Sequence, residues 1–140
     1  MVCNRKSSLM AVNTTAKDLP IDGLITYATS NKTGCSIGFT NGSNAVALRQ
    51  GLYLVNVSAD LLGTAAGEAT LQLLKNGTAI PGAKAVTTLA AGGVSNVSFS
   101  AVIDVGPSCQ CVDNTTTLQA QLQNIAATVN NTVMTVVKLA

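Results

Sequence analysis

The chain has no histidine and no tryptophan, 3% aromatic residues, and only 10% of its 140 residues are charged. Each scarcity excludes something. Without histidine there is no Ser-His-Asp or Cys-His nucleophile pair and no mixed Cys/His zinc site. A net charge of +2, with no basic run beyond Arg5-Lys6 and only Tyr27, Phe39, Tyr53 and Phe99 to stack on bases, leaves nucleic-acid binding short of both its electrostatic and its stacking parts. No apolar run approaches the ~20 residues of a membrane span. The first 15 residues hold no apolar core of the ~7–15 residues that a signal peptide uses. The expectation is a protein made in a cytoplasm, with neither nucleic acid nor membrane as partner. With 47% hydrophobic residues, so little charge also implies surface covered by other chains, because large apolar patches mark interfaces.

Six carboxylates are present: Asp18, Asp22, Asp60, Glu68, Asp104 and Asp113. They fall in turns and loops, where Asp is favoured for its own backbone hydrogen bonds. A paired-carboxylate hydrolase is the least favoured reading, and no calcium loop of the D-x-D-x-D-G type appears. No catalytic residue, metal ligand or cofactor is expected. The cysteines are Cys3, Cys35, Cys109 and Cys111. Cys109-Gln110-Cys111 is too short for a C-x-x-C motif. The order of expectation is free thiols, then a bridge from Cys35 to Cys109 or Cys111, then metal. Asn-x-Ser/Thr triplets start at several asparagines, among them Asn13, Asn31 and Asn56. In a chain so rich in Asn, Ser and Thr they read as chance, and glycosylation would need secretory passage.

The positive signals are all of strand period. From residue 51 to 62, Tyr53, Val55, Val57 and Ala59 alternate with Leu54, Asn56 and Ser58, the two-residue period of a strand with one buried face. Leu71 and Leu73 mark the next strand, closed by Asn76-Gly77, a hairpin pair that tolerates positive φ. Further strands are expected at 24–28, 35–40 and 45–49, the last two joined by Asn41-Gly42. Others follow at 83–89, 94–105 (with Val97, Phe99, Ala101, Ile103 and Val105 inward), 115–125 and 132–139. A helix over 117–127 is the rival reading. Turns are expected at 17–20, at Asp22-Gly23, Pro81-Gly82 and Asn130-Asn131, and loops at 30–34 and 106–114. About eight to ten strands with turns every 8–12 residues predict an all-β antiparallel sandwich. Residues 1–15 read as an arm with a short extended piece near residues 9–12, and residues 16–140 as the head.

These features together resemble a family. Gly51-Leu52-Tyr53 opens one strand, and Asn76-Gly77 then Pro81-Gly82 follow a Leu-x-Leu strand. The 94–105 strand ends at Asp104-Val105-Gly106 and the last at Val137-Lys138-Leu139. The pattern is similar to the jelly-roll heads of the tumour necrosis factor and complement superfamily. It is most similar to the bacterial and bacteriophage branch of spore-surface heads and phage decoration, head-fibre and collar proteins. The resemblance implies a homotrimer of ten-stranded sandwiches packed by one sheet about a threefold axis. The chain departs from the family in its poverty of aromatics, and it has no Gly-X-Y stalk. The missing stalk shifts the implied role toward a structural virion protein that decorates a bacteriophage head or collar and contacts the major capsid or collar protein. A receptor- or glycan-binding adhesin head is the alternative.

Three groups of residues are expected to serve these contacts. Cys3, Asn4, Arg5 and Lys6 would anchor the arm, so that removing residues 1–15 would abolish attachment and spare the trimer. Gly63, Thr64, Gly67 and Glu68 would meet a partner, and in the receptor-binding alternative the 63–67 and 106–114 loops would both be apical ligand contacts. Met134, Val136 and Lys138 would form the trimer interface, because residues 132–139 are apolar on both faces, as a central or interfacial strand would be.

Overall fold

The computed structural model describes residues 6–106 and 116–140, and the strands among them are numbered in chain order. They are β1 (Ser8–Asn13), β2 (Lys17–Leu19), β3 (Thr29–Thr33), β4 (Ile37–Gly38), β5 (Val46–Leu48) and β6 (Gly51–Gly63). Then come β7 (Gly67–Lys75), β8 (Thr78–Leu89), β9 (Val94–Val105), β10 (Thr116–Gln123) and β11 (Ala127–Lys138). One sheet has the order β3-β1-β11-β6-β9, with β2 also paired to β11; the other has the order β4-β5-β10-β7-β8. Every pairing is antiparallel, and both sheets bring together strands far apart in the chain, such as β1 with β11 and β5 with β10. This is a jelly-roll sandwich.

The core lies between the sheets. Tyr53, Val55, Val57, Ala59 and Leu61 of β6 face Leu71 and Leu73 of β7 and Leu118, Ala120 and Leu122 of β10, all fully buried. Each such leucine contributes roughly 1.5–3 kcal/mol by leaving water. Residues 116–123 are strand, as the alternation indicates, because β10 is central in its sheet and its leucines fill the core on one face only.

Two irregularities replace expected turns. At Asn130-Asn131 the chain does not turn. β11 runs on through a bulge, with Asn131 at φ 47° and the register against β6 shifting between Asn130 and Val133. One extra residue flips which positions face inward. Ala127 and Val129 are buried before the bulge, and Thr132, Met134 and Val136 after it. Pro81-Gly82 likewise lies inside β8, where the register against β7 shifts between Gln72 and Leu74. The Gln72 amide fills that bulge, donating to the carbonyls of Leu73, Ile80 and Ala83 at 2.9–3.1 Å.

Other expectations also change. Residues 17–20 are not a free turn, because β2 ladders onto β11. Residues 30–34 are not a loop: β3 pairs with β1, and the Ser8 and Thr33 hydroxyls meet at 2.8 Å. The 24–28 strand reduces to a single bridge between Leu24 and Gln121, and the 35–40 strand to β4. Most important, residues 8–13 are not an arm. β1 is hydrogen-bonded on both sides, to β3 and β11, with Leu9 and Ala11 in the core.

Two buried tyrosines differ in their partners. Tyr53 donates to the Arg49 carbonyl at 2.7 Å, tying β6 to the loop before it. The Tyr27 hydroxyl is fully buried without a hydrogen-bond partner, and burial raises its pKa. A buried unsatisfied hydroxyl costs about 1–3 kcal/mol. Tyr27→Phe should therefore raise the melting temperature, whereas Tyr53→Phe should lower it; thermal denaturation of both variants checks the contrast.

Candidate functional site

The strand ends define two poles. At the first, the Lys138 amide donates to the Ser7 carbonyl, the Leu52 amide to Ala140, and the Arg49 amide to Ser36. Gly51 pairs with Val105, and Lys75 Nζ reaches the Asp104 carbonyl at 3.0 Å. Lys6, Ala140 and both flanks of the 107–115 segment, Gly106 and Thr116, lie at this end. At the second pole, Ala127 pairs with both Gly63 and Leu19, and Gly67 pairs with Leu89.

The loop bearing Gly63, Thr64, Gly67 and Glu68 sits at the second pole, so it shares no apex with the flanks of the 106–114 loop. It is zipped to the 90–93 turn: the Gly63 amide donates to Gly93 and the Gly92 amide to Gly63. Thr64 and Glu68 are exposed. Gly63 permits that closeness, since a Cβ there would lie 2.5 Å from the Ala90 carbonyl oxygen. At Gly67 the nearest obstacle is the end of the Ile125 side chain, which can rotate away. Gly63→Ala should cost about 1–3 kcal/mol through overpacking and Gly67→Ala less, as urea denaturation would show.

Met134 and Val136 are 0% exposed and belong to the sandwich core, so another chain cannot reach them. The bulge at Asn131 is the reason: it turns these two inward and Val133 and Val137 outward. Lys138 is half-buried, its Nζ donating to Ser36 Oγ at 3.2 Å.

What β11 and its neighbours present outward is more informative. Eight large apolar side chains are exposed among the described residues, and six lie on the outer face of the β3-β1-β11-β6-β9 sheet or its end: Met10, Leu62, Val94, Val102, Val137 and Leu139. Cross-strand register gathers them, placing Val137, Leu54 and Val102 in one row and Leu62 beside Val94 in another. Val94 is 71% and Val102 60% exposed, where β-branched residues would ordinarily alternate with polar ones. Between these rows sits a hydrogen-bonded polar group. Asp60 accepts from Asn96 at 2.7 Å and from Asn131 at 3.0 Å, and those bonds hold its carboxyl below the usual range. Alternation shows residues 132–139 as apolar on both faces but does not say which set, Met134 with Val136 or Val133 with Val137, faces outward.

Cys35 is disulfide-bonded, which corrects the expectation of free thiols. Cys3, Cys109 and Cys111 lie outside the described residues, as do Asn4 and Arg5; Lys6 is exposed at the first pole. Among the described residues no group of three or more His, Cys, Asp or Glu is placed to hold a metal ion. No helix there is long and apolar enough to cross a membrane.

No protein-family model matches the chain, and no curated protein sequence matches it. Solved structures do. Murine APRIL aligns over 96% of this chain and 100% of its own, with a TM-score of 0.69 at 10% identity. The globular domain of zebrafish complement 1qA aligns over 93% of each chain, with a TM-score of 0.63 at 9% identity. PRD1 vertex protein P5 aligns over 100% of each chain, with a TM-score of 0.54 at 16% identity. The chain thus has the jelly-roll head fold of the tumour necrosis factor and complement proteins, a fold it shares with a vertex protein.

Proposed function

We propose that the chain is a non-enzymatic structural protein of a virion, a homotrimeric head that decorates a bacteriophage capsid or collar from its exterior. The observation that carries this reading is the full-length likeness to a vertex protein, joined to a sheet face whose exposed apolar rows call for cover by other copies. Self-association through that face would remove Val94, Val102 and Val137 from water, and three heads held together would convert weak single contacts into firm retention. Attachment is assigned to the segment before Ser7, which includes Cys3, Asn4, Arg5 and Lys6, with the major capsid or collar protein as partner.

A receptor- or glycan-binding head is the second reading, favoured by the likeness to APRIL and complement heads. It would use the second pole, around Thr64 and Glu68. Purified head binding to host cells, lost on Glu68→Lys and unaffected by changes before Ser7, would favour it. Reconstitution of purified chain onto particles tests the first reading: saturable attachment supports it, and absence of any attachment contradicts it.

A further inference from the structure

The chain's few charges are sorted between its poles. Of the seven described Lys and Arg residues, five stand at the first pole: Lys6, Lys32, Arg49, Lys75 and Lys138. Asp104 is the acidic residue among them. Of the five described acids, the other four, Asp18, Asp22, Asp60 and Glu68, fall in the opposite half of the sandwich, with Lys17 beside them. Lys84 sits mid-sheet on β8. Among the described residues the charge is thus positive at one end and negative at the other.

We propose that the first pole is a docking surface for an acidic protein surface; this deepens the virion reading and rests on it for where that surface is found. Complementary charge steers encounter and fixes orientation, and here it would seat the Lys6 end down and hold the acidic end away. The arrangement favours protein over other polyanions. Lys32 lies on the edge strand β3, Arg49 between β5 and β6, and Lys75 at the end of β7. The charges ring a broad end and do not line up along a groove as a phosphate backbone requires. Base stacking has no partner there either: Tyr27 and Tyr53 are 0% exposed, and Phe39 and Phe99 pack on the core. A membrane would need an inserting cluster at the tip; Leu139 lies there, while the exposed Val137 and Val102 belong to the outer sheet face assigned to self-association.

The test uses the full chain and two charge-matched pairs of exposed positions, Lys32→Glu with Arg49→Glu and Lys17→Glu with Lys84→Glu. Binding to immobilised polyglutamate, duplex DNA and phosphatidylserine vesicles is measured at about 0.05 M and about 0.5 M salt, where screening differs severalfold. The expected result is salt-sensitive binding to polyglutamate, weakened roughly tenfold or more by the first pair and less than about twofold by the second. No binding to polyglutamate, equal weakening by both pairs, or tighter binding to DNA or vesicles would overturn the proposal. Glutamine replacements at Lys32 and Arg49 replace the first pair if it does not fold. Attachment of the same variants to particles separates the two readings. If the wild type never attaches, the virion role fails whatever polyglutamate shows; if it attaches and both pairs attach equally, only the polar docking fails.

Discussion

Removing residues 1–6 should leave a cooperatively folded head, and removing residues 1–13 should abolish its melting transition. The second deletion takes out β1, whose six residues all pair with β11 and which also carries β3. It removes the fully buried side chains of Leu9 and Ala11 and leaves the β11 ladder with an open edge. Leu9 alone contributes about 1.5–3 kcal/mol, and the lost ladder adds to that, against a total stability of only about 5–15 kcal/mol for a domain. Ser7 must stay, because its hydroxyl accepts from the Ser36 amide and its carbonyl from Lys138. Calorimetry of the two deletions decides the matter. The reduced full-length chain is the control, since Cys3 leaves with the segment. A normal transition in the longer deletion would show that β1 is dispensable. With the expected result the arm shrinks from residues 1–15 to the residues before Ser7, and any loss of attachment on the short deletion can be assigned to them.

If the head assembles through this face as proposed, Val102→Asp should dissociate it to monomers with little change in the stability of each. Val102 is exposed on β9 in a row with Leu54 and Val137. A carboxylate there is harmless in a monomer, where surface changes stay within about 0.5 kcal/mol. In an apolar interface it would lose its water and cost several kcal/mol in each copy. Val86→Asp is the matched control, exposed on β8 of the other sheet, and should leave assembly unchanged. Light scattering reads the mass of both. Equal masses for the two variants and the wild type would remove this face from the interface.

How much of this was legible in the sequence follows from what each element relies on. β6, β9 and β10 announce themselves because each buries one face, so their alternation is written in side chains. β3 is the opposite case. Its residues Thr-Ser-Asn-Lys-Thr bury almost nothing, and it is held by backbone bonds to β1, which leave no trace in composition. β1 is only six residues long, too short for its alternation to stand out. The bulges at Asn131 and Gly82 were read as turns because Asn and Gly mark positive φ without saying whether the chain reverses or continues. The candidate interface was ambiguous for another reason: residues 132–139 are apolar on both faces, and only the pairing with β6, with its extra residue in β11, shows that Met134 and Val136 enter the core and Val133 and Val137 face out. The sorting of charge was also hidden, since Lys32, Arg49 and Lys75 are far apart in sequence and meet only through the topology.

The central claim is that this head belongs to a virus particle. Its most direct test is quantitative mass spectrometry of particles purified through a density gradient from producing cells. The account predicts the chain at constant ratio to the capsid protein across the particle peak, in copies that are a multiple of three. Finding it only in the soluble fraction, with none in the particle peak, would contradict it.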